Sequence, residues 1–183
     1  MAITLPKKQR ALVGAEDGSL VVSSDIDVPE LEDDMAIIGT RAVGLNPIDT
    51  KMKGGLAAPG SIAGMDFAGE VLAVGSRFVS PARLAPGDRV CGAVIGYQKN
   101  KPAIGGFAEM VGATDSGLLK MPDDWSFAQG ASFGVAIGTM GLALFRSLNV
   151  PGTPQNPAET PVDVFVYGGS TTTGTLAMQL LRL

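Results

Sequence analysis

The chain has 183 residues, 45% of them hydrophobic and 17% charged, which is enough apolar material for a packed core and too little charge for a disordered segment. Its net charge of −4 argues against a nucleic-acid or anionic-membrane surface, and no apolar run approaches the length of about 18 residues that a membrane span needs. There is one cysteine and no histidine, so an internal disulfide is impossible, a Cys/His zinc site is excluded, and the commonest general acid–base side chain is missing. Met1–Arg10 has no apolar stretch behind its charges, so no secretory signal is expected, and a cytoplasmic location follows.

In chain order, the first 120 residues read as short strands separated by turns. Ala11–Gly14 and Ser19–Ser23 flank "AEDG", whose Asp17-Gly18 pair suits a β-hairpin. Met35–Leu45 is a long apolar run that stops at Asn46-Pro47. Ala68–Val74 has strand-like β-branched content, "APGD" turns into a strand near Val90, and "GGFAEMVGAT" opens another. Turn signals at this spacing, with 25 glycines and 12 prolines, predict a mainly β fold, a small barrel or sandwich. The pattern then changes. Asp123 or Asp124 is a candidate N-cap, a helix is predicted from near Ser126, and a second from near Gly134 to Leu148. "NVPGTPQNPAETPVD" is a proline-rich linker. Val162–Tyr167 is predicted as a short buried strand and Thr175–Leu183 as a helix.

That last strand, turn and helix contain "YGGSTTTG". Glycines permit a tight turn, and a helix N-terminus offers free N–H groups and a positive dipole end to a phosphate. Hydroxyls of Ser170, Thr171, Thr172 and Thr173 add further donors. The segment is not G-x-G-x-x-G, and an ordinary βα turn with a Ser/Thr cap explains it equally well.

The segments "VGLNPIDTKMKGG", "IAGMDFAGEVLAVGS", "LAPGDRVCG", "GGFAEMV", "LLKMPDDWSFAQGAS" and "VFVYGGSTTTG" occur in this order from Val43 to Gly174. Taken together they resemble the medium-chain dehydrogenase/reductase superfamily, in its zinc-independent, quinone-reductase-like branch. "NPIDTKM" and "VYGGSTTT" followed by "MQLLRL" resemble in particular the fungal trans-acting enoyl reductases that assist polyketide synthases. The resemblance implies a GroES-like β-barrel catalytic domain at 1–123, lacking its C-terminal return segment. Bridging helices and a proline-rich linker would fill 124–161, and only the first βα unit of a Rossmann domain would stand at 162–183. Members of that family are longer, so a truncated chain is expected. Substrate and NADPH would lie in the cleft between the two domains. At Gly64-Met65-Asp66 the metal-binding histidine of zinc-dependent relatives is absent, and no metal is expected.

The resemblance also implies roles. Lys51 and Thr139 are the candidate catalytic residues. Lys51 is suited to polarising a thioester carbonyl, to donating a proton, or to holding the cofactor ribose; a lysine merely exposed on a loop is the alternative. Lys53, two residues on, serves as its control. Ile48, Asp49, Thr50 and Lys51 would approach the nicotinamide end of the cofactor, and Ser170, Thr171, Thr172 and Thr173 its phosphates. Without the family, Asp49 reads as the side chain closing a Pro-initiated turn. Met140, Gly141, Leu142, Ala143, Leu144, Phe145, Arg146 and Ser147 would line an acyl pocket, where the small residues either leave room for a long chain or allow close packing. Asp66 is expected to be structural and bonded to backbone, and Cys91 to be a small buried hydrophobe.

Three functions follow as expectations. The first is NADPH-dependent reduction of an α,β-unsaturated polyketide thioester held on an acyl carrier, with NADPH bound weakly or not at all by these 183 residues alone. The second is a non-redox cyclase or isomerase acting on a polyketide intermediate. The third is a pseudoenzyme that pairs with another chain. "TLAMQLLRL" is too apolar for a free surface helix, so self-association through it is expected.

Overall fold

The computed structural model describes residues 5–52, 54–79, 84–153 and 155–182. Its chain forms two compact units, Met1–Gly134 and Val135–Leu183. No helix among the described residues is long and apolar enough to cross a membrane.

The first unit is built on antiparallel strands. β1 (Lys8–Gly14) and β2 (Leu20–Asp27) form the hairpin that "AEDG" predicts. Asp17 Oδ1 accepts the Ser19 backbone N–H at 2.9 Å, and the Ala15 and Ser19 backbones close the turn at 2.8 Å. The second sheet joins β3 (Met35–Gly44), β4 (Asp66–Val74), β5 (Arg89–Ala93), β6 (Met110–Thr114) and β7 (Leu118–Lys120) in the order β6–β3–β4–β5–β7. Its β3–β4 register shifts between Ile37 and Ile38 and again between Thr40 and Ala42. Such bulges bend a strand and increase its twist, which curls the sheet.

The long apolar run at Met35 has a direct explanation. Ala36 and Ile38 face one side, packing with Phe67, Val71, Val90 and Val111. Met35 and Ile37 face the other, against Met110. A strand covered on both faces needs no polar alternation. Burial of apolar surface stabilises by about 25 cal/mol per Å², and both faces of β3 contribute to it. β1 closes on the same unit through backbone bonds from Leu12 to Phe107, Gly14 to Ser61 and Ala63 to Leu12. Gly64 lies against Phe107 in that layer. Its φ is +84°, and a Cβ there would come within 2.2 Å of the Phe107 ring, so only glycine fits.

The first helix, α1 (Phe127–Ala131), starts where the sequence predicts but has a different cap. Ser126, not Asp123 or Asp124, is the N-cap. Its hydroxyl accepts the Gln129 N–H at 3.2 Å, and Gln129 Oε1 accepts the Ser126 N–H at 2.8 Å. The two aspartates stand outside the helix because Arg89 holds that stretch through its carbonyls. The guanidinium donates to Asp123 O at 2.8 Å and to Trp125 O, and stacks 4.6 Å from the Phe127 ring centre.

The second unit is helical and differs from expectation in two places. α2 (Gly134–Gly141) does not continue to Leu148 as an α-helix. Leu142–Ser147 is a π-helical turn, in which the Leu148 N–H donates to Ala143 O five residues back, at 2.9 Å. The predicted strand at Val162–Tyr167 is not formed, and it is not buried: Phe165 is 89% and Tyr167 93% exposed. A strand exists through its ladder, and the described residues of this unit offer only a single bridge, Thr153–Asn156. α3 (Thr172–Leu180) does form, three residues earlier than predicted, because a helix satisfies its own backbone. Its Leu176 and Ala177 are buried, so it is less bare than its sequence suggests. Leu183 lies outside the described residues.

Candidate functional site

In the first unit the "NPIDTK" segment is a tight turn leaving the end of β3. Asp49 N–H donates to Asn46 O at 3.0 Å, Lys51 N–H to Ile48 O at 2.8 Å, and Met52 N–H to Ile48 O at 3.0 Å. The Thr50 hydroxyl donates to Pro47 O at 2.9 Å. Asp49 is 9% exposed, and its carboxylate closes the turn as the sequence alternative supposes: Oδ2 accepts the Asn46 N–H at 2.7 Å. Its other oxygen, Oδ1, accepts the hydroxyl of Tyr97 at 2.9 Å. Neither Tyr97 nor Asn46 carries a sequence signal for this role. Tyr97 is brought in from 48 residues away, which no local pattern reports.

Asn46 also ties the turn to the sheet. Its Nδ2 donates to Asp66 Oδ2 at 2.9 Å, and Asp66 pairs with Gly44 in the β3–β4 register. Asp66 is 2% exposed, as suits the structural role expected of it. Around these buried groups the turn presents its other residues to solvent. Lys51 is exposed, its ammonium without an ion pair among the described residues, and Ile48 is 45% exposed. Lys53 lies outside the described residues. Beside the turn, Asp17, Ser19, Leu20, Asp49 and Thr50 line a recess of about 480 Å³.

Electrostatics separate the buried groups from the exposed ones. Burial, then the Asp49 hydrogen bond and charge, push the Tyr97 phenol up to about 12. Burial, then the nearby Asp66 charge, push the Cys91 thiol up to about 11. Both stay protonated at neutral pH. Cys91 packs with Ala68, Met121 and Ala131, as a small hydrophobe would. Among the described residues no group of three or more His, Cys, Asp or Glu side chains is placed to hold a metal ion.

In the second unit the predicted residues separate by exposure. Thr139 is exposed on α2, as are Leu142, Arg146 and Ser147; Met140, Gly141, Ala143 and Phe145 are half-buried, and Leu144 is buried. A Cβ at Gly138 or Gly141 would meet nothing within 4 Å among the described residues. Phe145, Pro151, Pro157, Val164 and Leu181 line a recess of about 370 Å³.

The glycine–threonine turn then leads into α3. Gly168 has φ +79°, and Gly174 lies so close that a Cβ there would come 2.3 Å from Gly168 O. Thr171 is the N-cap: its Oγ1 accepts the Gly174 N–H at 3.1 Å and donates to Gly168 O at 2.8 Å. Thr171 is therefore engaged within the turn, whereas the side chains of Ser170 and Thr172 are exposed. The N–H groups of Thr172 and Thr173 find no acceptor among the described residues.

The sequence pattern of the alcohol dehydrogenase GroES-like domain matches residues 32–123, half of the chain. The chain belongs to that family. Its mainly β first unit and helical second unit are those of a medium-chain dehydrogenase/reductase whose β-domain is GroES-like. Trans-enoyl reductase FSL5 of Gibberella zeae is 51% identical over 98% of this chain and 50% of its own length. Trans-enoyl reductase eqxC of Fusarium heterosporum is 47% identical over 97% of this chain and again 50% of its own. The chain thus spans about half the length of the curated relatives it matches. Among solved structures, the human synaptic vesicle membrane protein VAT-1 homolog-like protein matches 94% of this GroES-like chain and 52% of its own, with a TM-score of 0.69 and 26% identity.

Proposed function

We propose that this chain carries the substrate side of an NADPH-dependent trans-acting enoyl reductase. It would act on α,β-unsaturated thioesters of polyketide type, delivered on the acyl carrier domain of a polyketide synthase in the cytoplasm. The observation that carries the reading is 51% identity to a trans-enoyl reductase across 98% of the chain, with Lys51 standing exposed on an anchored turn in the matched region.

NADPH, when bound, supplies a hydride to the β-carbon of the enoyl thioester. Negative charge then develops on the thioester oxygen, and a proton must reach the α-carbon. An ammonium group held where that charge develops lowers the barrier. Lys51 is the group assigned to it, because it stands at the lysine position of the "NPIDTK" motif. Ile48 and Thr50 are assigned to the nicotinamide end. Asp49 is assigned to the turn and not to the cofactor, because both its oxygens are taken by donors of this chain. Thr139 is assigned to the cofactor's edge. Met140–Ser147 are assigned to the acyl chain, where the open space at Gly138 and Gly141 leaves room. Ser170, Thr172, Thr173 and the first N–H groups of α3 suit phosphate oxygens, with Thr171 shaping their turn. One glycine turn and helix cannot enclose adenine, ribose and pyrophosphate together, so the 183 residues alone are expected to bind NADPH weakly or not at all. Self-association is supported less by α3 than by the apolar stretch before it, where Val162, Phe165 and Tyr167 are exposed.

The test is incubation with a 2-enoyl pantetheine thioester at high NADPH, followed by the mass of the acyl group. A gain of two hydrogens that is lost in Lys51→Ala supports the reading. Rearrangement at unchanged mass without NADPH favours a cyclase or isomerase. Intact substrate at every NADPH concentration overturns both and leaves the pairing role.

A further inference from the structure

Tyr97 belongs to no motif, yet three observations converge on it. It is one of two non-glycine residues among those described that have a positive φ, at 64°. The residue is 5% exposed, and its hydroxyl donates to Asp49 Oδ1 at 2.9 Å with the Gly64 backbone amide as a second partner. Its backbone N–H donates to Ile62 O at 2.8 Å. A bulky residue in the left-handed region persists only where its surroundings over-determine it, and such residues cluster at functional sites.

The surroundings here are backbone. A Cβ on Gly96 would come 2.3 Å from Gly64 O, so the 96–97 segment lies directly on the 62–64 segment with no slack. The phenol is thereby held between that layer, at the Gly64 amide, and the Asp49 carboxylate. That carboxylate uses its second oxygen to hold the Asn46 N–H, the first residue of the turn that carries Lys51. A continuous path runs from a rigid layer of the GroES-like unit, through Tyr97 and Asp49, to the backbone under Lys51.

We propose that Tyr97 is a positioning residue for Lys51: through Asp49 it sets the turn from which the lysine reaches the thioester oxygen. The proposal rests on the enoyl-reductase reading of Lys51, but the anchoring of the turn does not. A bond that served stability alone would require no link to the lysine's role.

Two measurements separate these. Tyr97→Phe keeps the ring and removes only the hydroxyl. Hydrogen exchange at the Lys51 and Met52 amides is then expected to quicken at least tenfold, while the β4–β5 ladder amides keep their rates. Unchanged exchange in the turn overturns the proposal. In the acyl-reduction assay, Tyr97→Phe is expected to lower kcat about tenfold, because a reacting group displaced by about 1 Å can cost up to about a hundredfold in rate. In a Lys51→Ala background the same change is expected to add nothing, because the positioned group is gone. Additive losses overturn the positioning role. Full activity of Lys51→Ala overturns the functional reading instead, and exchange still decides whether Tyr97 holds the turn. If Tyr97→Phe does not fold, Asp49→Asn, which retains one acceptor for two donors, is expected to loosen the same two amides.

Discussion

The two units of this protein treat apolar sequence in opposite ways. In the first, Ile37, Ile38, Phe67 and Val90 are fully buried in strands that each find a ladder. In the second, "VDVFVY" has the composition of a core strand, yet its aromatic residues are exposed and no ladder forms. The helix that follows forms all the same. A helix satisfies its backbone within itself, whereas a strand depends on a neighbour that is distant in sequence. Apolar composition predicts a wish to be buried, and only a partner turns it into a strand.

Paired substitutions break this comparison most directly. Phe67→Ala is expected to destabilise the first unit by about 3–5 kcal/mol, since it empties a fully buried site. Phe165→Ala, at 89% exposure, is expected to stay within about 0.5 kcal/mol. Chemical denaturation of both variants checks this, and equal losses would erase the distinction between the units.

Cys91 sharpens the comparison, because the chain's one thiol sits in the core of the first unit and reports on that unit alone. With its thiol pushed up to about 11 from an ordinary 9.0, it is expected to resist a disulfide reagent at pH 8 when native, and to react fully in denaturant. The sign of the linked stability follows. Below pH 9 the thiol is protonated in both states, and the contribution is fully present. From 9 upward the unfolded thiol ionises while the folded one does not, so stability falls across the window up to about 11. A denaturation series over pH 8–11 should show this fall, and its loss in Cys91→Ala assigns it.

The smallest expected effect is in the second unit. Thr171→Ala removes the cap of α3 and should cost about 1 kcal/mol of local stability. Amide exchange at Gly174 and Thr175 measures it, with the first unit's exchange unchanged.

What the sequence shows well is local. The hairpin at Asp17-Gly18, the strands from Met35, Ala68 and Val90, and the helix near Ser126 are read from turn chemistry and from burial pattern. Each of these signals is contained within a few neighbouring residues. The turn at Asn46–Met52 is legible for the same reason, since Asp49 closes it across three residues. The absence of histidine by itself removes zinc sites of the usual kind and narrows the proton donors.

The tertiary structure decided what depends on partners far along the chain. The cap of α1 moved from the aspartates to Ser126 because Arg89, 34 residues before Asp123, holds that stretch by its carbonyls. The helix after Gly141 became a π-helical turn, a one-residue change of hydrogen-bond partner that composition does not record. Asp49 acquired Tyr97, and with it a link between a rigid backbone layer and the exposed Lys51. The sequence by itself determined the family's pattern of turns, strands and caps, because these follow from interactions within a few residues. Which polar groups became buried and paired, and which apolar ones stayed in solvent, was decided only by the contacts that folding brought together.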